Sequence, residues 1–177
     1  MFDIQEQVRM AQNGDKNRLV ELISMKKDQL YRIAYSYLKD NQKVMDVMQD
    51  VIVRAFHEIN NLREGKYFYT WYIKILTNVC KEYLRRDRKV IFVNELITQE
   101  DDSSLWNEDW LDVKNEIQRL KEEFREVIIL RYLADMTVKE ISNVLNCPEG
   151  TVKSRLFYAL KELRKLVGSK EGKANEM

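Results

Sequence analysis

Apolar residues recur every three or four positions along most of this chain, the spacing that lines one face of an α-helix. The spacing predicts a short helix near Ile4–Gln12, closed by Asn13-Gly14, and a second from about Lys16 to Leu38 with Asp15 as its N-cap. Asp40-Asn41 interrupts the pattern, and further helices are expected over 42–59 and over Thr70–Arg86. From about Val93 to Asp109 the periodicity gives way to acidic residues and a serine pair, the composition of a linker. Four shorter helices are then expected near 110–120, 123–134, 138–145 and 148–167. The predicted architecture is all-α: two small helical domains, 1–92 and 110–177 (the second ending in a polar tail), joined by an acidic linker at 93–109.

The faces of these helices differ in chemistry. In helix 42–59 the apolar arc covers nearly half the circumference, and a narrow outer face presents Asp46, Gln49, Asp50, Val53, Arg54 and His57. Taken alone, that stripe reads as a solvated face. In the following helix, Tyr72, Ile75, Val79 and Cys80 share the apolar arc, while Lys74, Asn78, Lys81 and Arg85 lie opposite with Trp71 at the edge. The run Tyr67–Tyr72 holds five aromatics in six positions. Trp71 beside cations and an asparagine fits either of two roles, a platform for unpaired bases or a wedge between helices. Arg85, Arg86, Arg88 and Lys89 suit duplex phosphates, which carry no sequence information of their own.

The last two helices carry the clearest local signal. Thr137-Val138-Lys139-Glu140 has the form of a capping box, and Asn146 can take the left-handed conformation that ends a helix. Pro148 suits the first turn of the next helix, where its missing N–H costs nothing. Helix, tight turn and helix make a helix-turn-helix pattern. On the final helix Val152, Leu156, Ala159, Leu160 and Leu163 share an apolar arc, opposite Lys153, Ser154, Arg155 and Lys161, with Phe157 and Tyr158 on the polar side. After a capped turn, a recognition helix for the major groove is a better reading than a solvated face; Lys and Arg suit phosphates and guanine edges, and Phe157 a thymine methyl.

Composition narrows the classes. The 177 residues include one Pro and five Gly, too few for a turn-rich β fold, and 45% apolar residues, enough to bury a core. No apolar run is long enough to cross a bilayer, and the opening Met1–Glu6 lacks a secretory signal, so a cytoplasmic protein without membrane insertion is expected. Two cysteines and a single histidine, His57, leave no multi-residue metal site or histidine triad, and no cofactor is expected. A net charge of +1 conceals segregation. Residues 81–89 hold five basic against two acidic side chains, 94–116 eight acidic against one lysine, and 151–170 six basic against one acidic. Two basic blocks flanking an acidic one suggest two surfaces for a polyanion.

Two motifs in this order resemble the extracytoplasmic-function (ECF) group of bacterial RNA polymerase sigma factors, in the sigma-70 family. Asp46–Val51 with Arg54-Ala55-Phe56, then Phe68–Tyr72 and Tyr83–Arg86, is similar to region 2, a helical bundle. Glu140-Ile141 with Asn146–Leu156 is similar to region 4, a helix-turn-helix domain; together the similarity spans about Lys16 to Leu166. The resemblance implies that Asp46, Gln49 and Asp50, with Val53 and Phe56, bind the β′ clamp helices of core RNA polymerase. It implies that the loop Asn61–Phe68 and the next helix, through Leu62, Phe68, Trp71, Lys74, Asn78, Arg85 and Arg86, hold −10 promoter DNA. It also implies that Thr151, Lys153, Ser154, Arg155, Phe157 and Tyr158 face the −35 duplex. Leu62 stands where some members have an aromatic, and Tyr158 where many have arginine. The implied partners are core polymerase (clamp helices and β flap), promoter DNA and an anti-sigma factor, often membrane-anchored in this family; no small-molecule substrate is implied. The alternatives are an autonomous dimeric helix-turn-helix regulator, which leaves the Asp46/Gln49/Asp50 stripe without a purpose, and a helical scaffold with no DNA role. An enzyme ranks last, for want of an acid, base or metal constellation.

Overall fold

Asp3 opens the first helix, α1 (Ile4–Gln12), by accepting the backbone N–H of Gln5 at 2.9 Å. The computed structural model describes residues 3–90 and 115–174, with side chains over 3–87 and 115–167. All regular structure among the described residues is helical. Contacts divide the chain into two compact units, 1–101 and 102–177, a division that falls inside the segment read as a linker. The linker itself, 93–109, lies outside the described residues.

In the first unit, Gly14 at φ +102° makes the turn that Asn13-Gly14 predicts, and Asp15 caps α2 (Lys16–Ser24). The single helix expected over Lys16–Leu38 is two, α2 and α3 (Lys27–Leu38). Periodicity conceals the break because Ile23 and Leu30, seven residues apart, keep the sequence spacing of a single helical face across it. A tertiary contact accounts for it. The Leu22 carbonyl accepts the Tyr69 hydroxyl at 2.9 Å, and the Lys26 N–H, its partner in an unbroken helix, goes to Ile23 O. The Lys26 ammonium then lies 4.6 Å from the centre of the Tyr69 ring.

The core forms where α3 packs against α4 (Asn41–Glu58) and α5 (Phe68–Val90), around Leu30, Ile33, Val44, Val47, Val51, Tyr72 and Leu76. Lys39 ends α3 in the left-handed region (φ 55°), and Asp40 caps α4 through the Lys43 N–H. α4 and α5 are also joined by ion pairs, Lys43 with Asp87 and Arg54 with Glu82.

In the second unit, residues 115–119 are helical, and α6 (Glu122–Ile128) runs into a π turn over Ile129–Leu133. There the Ala134 N–H reaches back five residues to Ile129 O at 3.1 Å. α7 (Val138–Leu145) has the full capping box: Glu140 N–H to Thr137 Oγ1 at 3.3 Å, and Thr137 N–H to Glu140 Oε2 at 2.9 Å. It ends at Asn146 in the left-handed conformation, φ 51°. Pro148 sits just before α8 (Glu149–Ala174), its carbonyl accepting from Thr151 and Val152. Ile141, Val144, Val152 and Ala159 join α7 and α8 to the Val127–Leu130 core.

Candidate nucleic-acid and partner-protein interfaces

Three surfaces carry the residues singled out by sequence. The first is the outer face of α4. Asp46, Gln49, Asp50 and Val53 are exposed and Phe56 is half-buried, so an acidic-polar stripe runs beside apolar surface that also includes Met45. Asp50 Oδ2 accepts the Tyr83 hydroxyl at 3.3 Å; burial, then Asp50 and Asp46, raise the pKa of that phenol. Arg54 does not belong to the free stripe. Its guanidinium donates to both carboxylate oxygens of Glu82, at 3.0 and 2.6 Å, and this bond lowers the Glu82 pKa.

The second surface is the α4–α5 loop with α5 as far as Arg86. Trp71, Lys74, Asn78 and Arg85 fall at three-, four- and seven-residue steps and so share one face. Trp71 and Lys74 are half-buried, whereas Asn78, Arg85 and Arg86 are exposed. The same face thus offers a ring, an amide and cations to a strand with unpaired bases. Two expected contacts are corrected. Phe68 is fully buried and Leu62 is 8% exposed, so neither reaches a base. Phe68 instead packs inside the unit, with its ring centre 5.8 Å from that of Trp71 and 5.9 Å from that of Tyr72. Helical phase explains the misplacement: α5 begins at Phe68, which puts Phe68, Tyr72 and Ile75 on its buried side. Tyr67, one residue earlier, is 46% exposed with the Lys66 ammonium 4.8 Å from its ring centre, and belongs to the candidate surface. The aromatic run contained its signal, but only the start of α5 separates the exposed ring from the buried one.

The third surface is the outer face of α8. Lys153, Ser154, Phe157 and Tyr158 are exposed, with Phe157 and Tyr158 edge to face at 5.4 Å. Thr151 is half-buried near the helix start. Arg155 is also half-buried and pairs with Glu123 of α6 at 3.3 Å, so part of its charge is used within the unit. Phe157 (64% exposed) and Tyr158 (54%) thus form an exposed aromatic pair beside Lys153 and Ser154, a combination that suits base edges and phosphates.

Among the described residues, no group of three or more His, Cys, Asp or Glu side chains is placed to hold a metal, and no helix is long and apolar enough to cross a membrane. Cys80 is buried in the core, which pushes its thiol up to about 12.

Comparison with known proteins gives these surfaces a context. Residues 22–90 match the family model for Sigma-70 region 2, and residues 117–165 that for Sigma-70, region 4. The chain is 23% identical to the ECF RNA polymerase sigma factor SigW of Bacillus subtilis, over 92% of this chain and 95% of that protein. It is 29% identical to the ECF RNA polymerase sigma-E factor of Escherichia coli, over 86% of this chain and 87% of that one. Its fold is shared with CnrH, solved in complex with the cytosolic domain of CnrY (TM-score 0.73, 22% identity, 94% of this chain and 97% of that one). It is shared also with the sigma factor RpoE of Bartonella quintana, solved with the anti-sigma factor NepR (TM-score 0.68, 22% identity, 84% and 95%).

Proposed function

The chain belongs to the sigma-70 family, in its ECF group, and from that premise we propose a promoter-specific initiation factor whose three surfaces act in sequence. The α4 stripe of Asp46, Gln49, Asp50 and Val53, edged by Phe56, docks on the β′ clamp helices of core RNA polymerase. α8 then lies in the major groove of the −35 duplex, with Lys153 and Ser154 toward phosphates and Phe157 and Tyr158 toward base edges. The second unit also meets the β flap. The α4–α5 loop and the face of Trp71, Lys74, Asn78, Arg85 and Arg86 hold the −10 strand once its bases are unpaired. Stacking on Trp71 and Tyr67 offsets the few kcal/mol needed to unstack and unpair a base. No covalent chemistry is asked of the chain, which acts as a binding and melting factor in the cytoplasm.

The observation that carries this reading is the chemistry of neighbouring faces in one unit. An acidic stripe on α4, suited to a protein partner, stands beside an aromatic and cationic face on α5, suited to a polyanion. An autonomous duplex-binding regulator needs only the second unit and has no use for that pair. Since CnrH and RpoE were solved with the protein partners CnrY and NepR, we extend the proposal to an anti-sigma factor, membrane-anchored, that covers these surfaces until a signal removes it.

Gel filtration with core RNA polymerase tests the reading. The wild-type chain should co-elute, and Asp50→Arg, an exposed substitution that reverses charge, should weaken binding by about tenfold or more, while the exposed Tyr83 hydrogen bond it removes costs little thermal stability. No co-elution by the folded wild-type chain would overturn the proposal.

A further inference from the structure

The loop joining α4 to α5 contains two single-turn helical segments, Ile59–Asn61 and Gly65–Tyr67. Its outward side carries Asn60, Asn61, Arg63, Lys66 and Tyr67, all exposed. Its inward side rests on α1. Gln12, the last residue of α1, donates its side-chain amide to Ile59 O at 3.0 Å and to Leu62 O at 2.8 Å. Both acceptors are carbonyls, so only the amide nitrogen fits there and its two hydrogens are both engaged. Gly65 makes the second contact. A Cβ at that position would lie 2.8 Å from Gln5 Cα and 3.2 Å from Val8 Cβ, and the first of these is backbone that cannot swing aside. Ile59 and Leu62 are buried, which pins the same stretch through apolar packing.

We propose that α1 is a template for the base-reading loop, with Gln12 and Gly65 as positioning residues for recognition of the −10 element. The inference rests on the reading of this loop as a −10 contact. A nine-residue connection without a backbone ladder loses conformational freedom when it grips a base, and a loop already held in shape loses less. The two amide hydrogen bonds and the absent Cβ hold it without using any outward side chain. α1 lies upstream of residues 22–90, so the template comes from a part of the chain outside the region 2 match.

The test uses holoenzyme assembled with core RNA polymerase. Single-stranded non-template oligonucleotides enriched from a random −10 pool by wild-type holoenzyme serve as the probe. The readout is the ratio of affinities for the enriched oligonucleotide and its single-base variants. Gln12→Met keeps the side-chain length and removes both donors; Gly65→Ala lifts the loop from α1 with Gln12 intact. Gln12→Met should lower that ratio by about tenfold at one position or more, on the usual worth of one to two hydrogen bonds, and Gly65→Ala should lower it in the same sense by displacing the loop. Core-polymerase binding and −35 duplex affinity should stay unchanged. A merely structural α1 would reduce the active fraction and leave the ratio among oligonucleotides untouched. Where one variant fails to bind core polymerase, the other decides. Loss of core binding by both, or unchanged ratios with wild-type enrichment intact, overturns this inference alone. If the wild-type chain binds core polymerase yet the resulting holoenzyme enriches no −10 sequence, the base-reading role of the loop falls with it.

Discussion

Replacing Trp71 by alanine separates a base platform from a wedge between helices. The Trp71 ring is half-buried, tilted 44° to Phe68 with centres 5.8 Å apart, so part of it packs on the unit and part is accessible. Stacking of one base on an aromatic ring is worth about 1–3 kcal/mol by alanine substitution. With part of the ring already covered, the lower portion of that range applies, about 1–2 kcal/mol, or roughly five- to thirtyfold in the closed-to-open equilibrium. The assay is open-complex formation on a duplex promoter, followed by a fluorescent base at −10, beside transcription from the same promoter with its −10 region pre-melted. The variant should lose roughly five- to thirtyfold in opening, with most of the loss in transcription restored by pre-melting. Duplex −35 binding and co-elution with core polymerase should be unaffected. An equal loss on both templates would refute the platform role, because a wedge fails whatever the state of the DNA.

Two stability predictions test contacts within each unit. Because Arg54 holds the Glu82 carboxyl below its ordinary value, the pair stabilises the fold fully above the unfolded carboxylate value and loses that contribution as pH falls through the folded one. Glu82→Gln should therefore lower Tm by a constant amount from neutral pH down to about 5, and the difference should fade below about pH 4; a pH-independent difference in thermal scans would sink the assignment. Thr137→Ala removes the capping box of α7 and should cost about 1 kcal/mol, about 4–8 °C in a unit of this size, with faster amide exchange over 138–145. Unchanged exchange in that segment would show that the cap is not what starts the helix.

Much of the fold was legible because local chemistry acts over a few residues. Thr137 and Glu140 complete each other three positions apart, and Asn146 ends α7 in the conformation that few other residues tolerate. The wheel of α8 separated Val152 and Ala159, now buried, from Lys153, Phe157 and Tyr158, now exposed. The α4 stripe was legible in the same way, with one exception. Nothing in the spacing of α4 says that Arg54 meets Glu82, since the packing of two helices brings together residues 28 apart in sequence.

The sequence by itself determined most of the helices, the caps at Asp15, Thr137 and Asn146, the sidedness of α4 and α8 and the segregation of charge, all consequences of a 3.6-residue period and short-range hydrogen bonding. The tertiary structure decided where periodicity is silent. It broke α2 from α3, because the Tyr69 hydroxyl takes the Leu22 carbonyl from a helix whose apolar phase runs on unbroken. It turned Phe68 inward and left Tyr67 outward, because an aromatic run has no face until the start of its helix is set. It brought Gln12 to two carbonyls some fifty residues further along the chain, a contact that spacing cannot express. Identity and period are properties of a segment, whereas burial and pairing depend on which segments meet.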